Sequence, residues 1–170
     1  VQSGQVLAGS ARHLGVVKTG IAVKAATPWP QVDTADALKL ALQQATGIYF
    51  PDPQLATAGI HFMKVLQSLG IADEVAARLK PHPNGATAMK AMAACDDPQV
   101  IGCTQVTEIL ITPGVDLVAD LPAVFELATV YTAGVCTASQ HPAVAQQLID
   151  LLASPAHAAM RQQGGFLPAN

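Results

Sequence analysis

Charge and aromatic rings are both scarce in this chain. Of its 170 residues, 12% are charged and 4% aromatic. Nine lysines and arginines face twelve acids and do not cluster, so the counter-charge that holds a nucleic-acid backbone is missing. No apolar run reaches the roughly 18 residues that span a bilayer. No basic segment followed by an apolar stretch opens the chain, so no export signal is read within it. Three cysteines, Cys95, Cys103 and Cys136, form no CxxC pair, and their odd number excludes a complete disulfide framework. Cys103 and Cys136 lie in apolar, strand-like runs and read as small buried hydrophobes.

The usual signatures of catalysis are also missing. There is no GxSxG elbow, no GxxxxGK[ST] loop and no GxGxxG turn, and Ser3, Ser10, Ser68, Ser139 and Ser154 sit in no such context. His13, His61, His82, His141 and His157 are scattered without metal-ligand spacing, so structural roles are expected of them and no metal or cofactor is called for. Met63, Met89, Met92 and Met160 read as core filler.

What the chain has is apolar residues, 51% of the total, arranged in alternating short runs. Leu14 to Lys24 is rich in valine and isoleucine and reads as a long buried strand. A loop with Pro28 and Pro30 around Trp29 follows. Asp33 is placed to cap a helix carrying Asp36 in its first turn, with Leu38, Ala41, Leu42 and Ala45 on one face and Gly47 at its end. Gly47 to Phe50 reads as a strand. Thr57 opens a helix that ends at Gly70, and Ile71 to Leu79 reads as another. Lys80 to Pro83 is extended chain. Asn84-Gly85 turns into a helix from Ala86 to Ala94. Val100 to Thr104 and Val115 to Val118 read as strands, with one helical turn from Gln105 to Ile109. Glu126 to Val135 reads as a second long apolar strand. His141 to Ala153 reads as a helix with Val144, Leu148, Leu151 and Leu152 aligned, and Ser154-Pro155 starts a last one. This alternation predicts an α/β fold, a mostly parallel sheet flanked by helices.

In such a sheet, three strand-to-helix junctions fall at the carboxyl edge, where ligands of open α/β folds bind. They are Thr57-Ala58-Gly59, Gly85-Ala86 after Asn84, and Thr104-Gln105. Each offers free amides at a helix start, which favour an anion, and none carries a lysine or arginine. Thr57, Asn84 and Thr104 acting only as helix caps is the competing reading. Asp96, Asp97 and Glu108 are the acids near that edge; a solvated turn accounts for the first two, and Glu108 could cap or hydrogen-bond a ligand group, with a salt bridge or exposed site as the default expectation.

Four stretches resemble a known family: Leu14 to Leu42, Phe50 to Ile71, Val100 to Leu110 and Thr129 to Phe166. Their order and spacing are similar to the molybdate-binding branch of type 2 periplasmic solute-binding proteins, the ligand receptors of ABC importers. The resemblance implies a periplasmic binding protein type 2 architecture with ligand held between two lobes, an exported protein and an ABC permease as partner. It implies residues 1–13 as a remnant of the first lobe, 14–135 as the second lobe with its hinge strands, and 136–170 as helices returning to the first lobe. An opening half-lobe and an export signal would then lie outside this sequence. The last helices would expose apolar faces, unless a partner chain, as in a dimer, covers them. The resemblance carries over to Ala58 with Thr57 and Gly59, to Gly85 or Ala86, and to the Gln105 position; with Thr104 from the junctions these are the candidate ligand-binding residues. Gln105 stands where molybdate binders carry a tyrosine, which points away from molybdate and toward an organic acid or another polar solute; a small anion, an oxyanion or a small carboxylate, is the expected ligand. A ligand-sensing domain of a transcription regulator shares the fold and is the alternative; an enzyme is not expected.

Overall fold

The computed structural model describes residues 4–169, so Ser3 and the first residues of the segment 1–13 lie outside it. The chain divides into two units, Lys18–Ala128 and the residues up to Val17 together with those from Thr129 on. It crosses from one to the other within strand β1 (Arg12–Lys24) and again at the start of β6 (Ala128–Ala133).

The larger unit is built on a sheet ordered β3-β2-β4-β1-β5. Strands β2 (Gly47–Pro51), β3 (Leu79–His82) and β4 (Val100–Gln105) are parallel, with Ile48 opposite Leu79 and Ile101. β1 runs antiparallel to both β4 and β5 (Val115–Asp120), so β5 points the same way as β2, β3 and β4. Pro81 sits in the edge strand β3, where a missing backbone donor costs no ladder bond.

Alternation along the strands sends side chains to two apolar layers. Ile21, Val23, Ile48, Phe50, Ile101 and Cys103 meet helices α1 (Ala35–Gln44) and α2 (Thr57–Ser68) through Leu38, Leu42, Phe62 and Leu66. On the other face Ala22, Val100 and Val115 meet α4 (Gly85–Ala94) and α5 (Val106–Leu110) through Met89, Met92 and Ile109. Gly102 leaves room there, since a Cβ at that position would come within 2.5 Å of the Met89 methyl carbon. Tight seating of two methionines therefore depends on a glycine in the middle of a buried strand.

Several element ends differ from the sequence reading. Thr34, not Asp33, caps α1, because its hydroxyl is the group that accepts the Ala37 amide, at 3.1 Å. Gly47 opens β2 rather than ending α1, which closes at Gln44. The helix expected over Ile71 to Leu79 is a single turn, α3 (Ala72–Val75), followed by a 3-10 turn over Ala76–Arg78, because Leu79 joins β3. Gly70, at φ +69, ends α2 in the left-handed conformation expected of it.

In the smaller unit, β6 is only six residues long and is exposed along much of its length. Helix α6 (Pro142–Ala153) buries Ile149 and turns Val144, Leu148 and Leu151 outward, each more than half exposed. The final helix is a 3-10 turn over Pro155–His157 leading into α7 (Ala158–Gln163), and Ser154 bonds the His157 ring rather than a backbone amide.

All three cysteines are free. Cys103 is buried, and burial pushes its thiol far above its usual pKa. Cys136, expected to be buried, is exposed. It lies just beyond β6, joined to Val6 only by an isolated bridge. Titration of the native protein with a thiol reagent is expected to modify Cys136 and the half-exposed Cys95, and Cys103 only after unfolding. Phe62→Ala, which removes a fully buried ring packed 5.4 Å from Phe50, is expected to cost about 3–5 kcal/mol in urea unfolding.

Candidate functional site

Parallel pairing brings the carboxyl ends of β2, β3 and β4 to one edge, with Pro51 opposite His82 and Gln105 closing β4. Helices α2, α4 and α5 all start from that edge, so Thr57, Gly85 and Gln105 share it. The three junctions are not equivalent.

At α2, the loop before the helix is fixed by Asp52. Its carboxylate accepts the Gln54 and Leu55 amides at 2.7 and 2.8 Å, and its carbonyl accepts the Ala56 amide. Ala56 then enters the helix extended and has no side chain to cap it. The amides of Thr57, Ala58 and Gly59 consequently have no hydrogen-bond partner among the described residues. Gly59 seats the helix directly on the end of β2: a Cβ there would lie 2.3 Å from the Pro51 carbonyl oxygen and 2.2 Å from that of Asp52.

At α4, the amides of Ala86 and Thr87 are already occupied. Asn84 accepts the Thr87 amide at 2.8 Å, and Glu108 accepts the Ala86 amide at 3.2 Å. The other Glu108 oxygen takes the Thr104 hydroxyl at 2.6 Å. Glu108 is therefore neither salt-bridged nor exposed as a free acid; a carboxylate from α5 caps the positive end of α4. Gly85 makes the approach possible, because a Cβ there would lie within 2.0 Å of both Thr104 Oγ1 and Glu108 Oε2. The Thr104 side chain is spent on this cap.

Gln105 lies on the opposite face from Thr104. It continues the row of Ile101 and Cys103 that packs beneath α2. Its register partner across β1 is Thr19, whose side chain shares that face. Both are buried, at 7% and 1% exposure, and Gln105 Oε1 and Thr19 Oγ1 have no hydrogen-bond partner among the described residues. Thr19 is absent from the sequence-predicted set because only antiparallel pairing reveals it. The same pairing brings Lys18 to this edge, where its ammonium meets Glu126 at 2.5 Å and Asp120 at 3.7 Å; the Glu126 bond holds its pKa above the usual lysine value. Lys18 is thus a paired cation.

Asp96 and Asp97 stand at the opposite edge, in the turn between α4 and β4, where Asp97 accepts the Gln99 amide at 2.8 Å. A cavity of about 320 Å³ lined by Val23, Trp29, Ala41, Pro98 and Val100 also opens at that far edge, away from the helix starts. His61 bonds the Phe125 carbonyl at 2.7 Å, and His82 stacks on Tyr49. Among the described residues no group of His, Cys, Asp and Glu side chains could hold a metal, and no helix is long and apolar enough to cross a membrane.

A family model for bacterial extracellular solute-binding proteins matches residues 1–167. The chain belongs to this family. The fold of this solute-binding protein resembles the Azotobacter vinelandii periplasmic molybdate-binding protein, with a TM-score of 0.76 at 20% identity over 99% of this chain and 72% of that one. It also resembles the sulfate-binding protein of Mycobacterium tuberculosis H37Rv, with a TM-score of 0.70 at 14% identity over 100% of this chain and 64% of that one. At such identities the likeness is one of fold. A curated relative, aconitate isomerase from a Pseudomonas species, is 29% identical over 172 residues, and the chain spans 62% of its length.

In this solute-binding protein the Glu108 cap is open to a direct check. Glu108→Ala leaves the Ala86 amide and the Thr104 hydroxyl unpaired and is expected to cost about 1–3 kcal/mol in urea unfolding. Glu108→Gln keeps one acceptor oxygen for the Ala86 amide and offers an NH2 that donates to the Thr104 hydroxyl oxygen, and is expected to cost less than half of that change.

Proposed function

We propose that this chain is the ligand-holding part of an exported receptor, binding a small anion for delivery to an ABC permease. The observation that carries this reading is the start of α2. Three adjacent amides, at Thr57, Ala58 and Gly59, are without partners on a sheet edge where the nearby cation, Lys18, is already paired. Neutral donors at a helix start replace the hydration of an anion without the cost of burying a free cation beside it. Gln105 belongs to the same side of the sheet, while Gly85, Ala86 and Thr104 line the edge through the Glu108 cap.

Within anions, a small carboxylate fits better than a tetrahedral oxyanion. Glu108 already neutralises α4, leaving α2 as the one uncapped start of a long helix at that edge to balance charge; α5, also without a side-chain cap, has only five residues. A relative whose name is aconitate isomerase points in the same direction. That relative also favours a second reading, an isomerase acting on a carboxylate. A proton-transfer base would then be needed at the edge. His61, one turn into α2 with Nε2 held by the Phe125 carbonyl, is the side chain so placed.

Calorimetry on the full-length protein with sulfate, molybdate, succinate, malate and aconitate tests the receptor reading; binding of at least one anion is expected, and no binding by any of them overturns it. Conversion of aconitate followed by NMR separates the isomerase reading from simple binding. Thr57→Asp places a carboxylate in the first turn of α2. It is expected to leave the melting temperature unchanged or slightly higher while weakening anion binding about tenfold or more.

A further inference from the structure

Besides the α2 amides, this edge carries a second polar feature, Thr19 with Gln105. Both side chains lie on the α2 face of the sheet, because Thr19 continues the Ile21 and Val23 row and Gln105 continues the Ile101 and Cys103 row. Both lie at the edge where α2 starts. They are direct register partners, each more than nine-tenths buried, and Thr19 Oγ1 and Gln105 Oε1 are the buried side-chain polar atoms without a partner among the described residues. Buried polar atoms are ordinarily satisfied, so two unpaired ones on adjacent strands, at the sheet edge from which α2 also starts, mark a place built for something else to complete.

We infer that the ligand carries a hydroxyl beside its carboxylate, that Thr19 and Gln105 read this hydroxyl, and that the substrate class is hydroxy-carboxylates. The inference rests on the anion reading above. The α2 amides are donors only and suit the carboxylate. The Thr19 hydroxyl both donates and accepts, and the Gln105 amide has an acceptor oxygen as well as two donors. A ligand hydroxyl supplies a donor and an acceptor together, so it satisfies the pair whichever way the amide is turned. Sulfate, molybdate and fully ionised plain carboxylates only accept, and they leave the amide oxygen unpaired. Sites built to bond a substrate hydroxyl discriminate strongly against analogues that lack it, for this reason.

The test compares matched ligands on the full-length protein by calorimetry: malate with succinate, citrate with tricarballylate, and sulfate, molybdate and aconitate as acceptor-only anions. Each hydroxy acid is expected to bind about tenfold or more tightly than its partner lacking the hydroxyl. Thr19→Val and Gln105→Leu are each expected to shrink that ratio toward one while leaving affinity for succinate and tricarballylate within about threefold. Without ligand, both variants are expected to hold or raise the melting temperature, because each exchanges an unpaired buried polar atom for an apolar one. That measurement also shows that the variants fold. Equal binding of the matched pairs overturns the inference, as does tighter binding of sulfate, molybdate or aconitate than of malate and citrate, or a ratio untouched by both variants. A fall in melting temperature in both variants also overturns it, since the polar atoms would then serve the fold. In the matched-ligand outcomes some anion still binds and the receptor reading stands; that reading fails separately, if no anion binds at all.

Discussion

Strand β4 is buried at every one of its six residues, and the candidate site takes its shape from that. It pairs parallel with β2 on one side and antiparallel with β1 on the other. Nothing polar fits along its length until the carboxyl edge, where the alternating pattern ends in Thr104 on one face and Gln105 on the other. The parallel half delivers helix starts to that edge. The antiparallel half delivers the middle of β1, with Lys18 and Thr19. A strand buried on both faces thus converts two pairings into one chemically mixed border, with unpaired amides and two unsatisfied side chains on the α2 side and a closed cap on the α4 side.

That asymmetry between faces follows from where two carboxylates fall, Glu108 and Asp52. Glu108 sits four residues after Thr104 on the short helix α5, close enough for one carboxylate to bond the Thr104 hydroxyl and the Ala86 amide together. Gly85 admits it. The α4 start thereby has its carboxylate, and the Ala86 and Thr87 amides their acceptors, from within the chain. At α2 the acid, Asp52, lies before the helix and spends its carboxylate on Gln54 and Leu55, fixing the loop instead of the helix end. Two helix starts with similar sequence character therefore have opposite capacity for a ligand, and the difference lies in one side chain's reach.

The apolar layers were legible in advance because burial leaves a period. Leu38, Leu42, Phe62, Leu66, Met89 and Met92 repeat at helical spacing and all reach the core. Element ends were less legible. Thr34 and Asp33 are both good caps, and only local geometry selects between them. The run from Ile71 to Leu79 has helical character, yet the pairing of Leu79 with Ile48 draws its end into the sheet. Cys136 shares its composition with buried strand residues, but it falls beyond the last paired residue of β6.

The order of residues alone determined the α/β class, the family pattern and the set of small, hydroxylic junctions, because each is written in local spacing that every strand or helix of that composition obeys. Tertiary structure alone decided that Thr19 faces Gln105, that Glu108 closes α4 while α2 stays open, and that the acids at 96 and 97 stand at the far edge. Those facts depend on which strands become neighbours and in which direction. Strand neighbours are chosen by the packing of the whole sheet, so residues 86 positions apart meet with no mark of it in either segment.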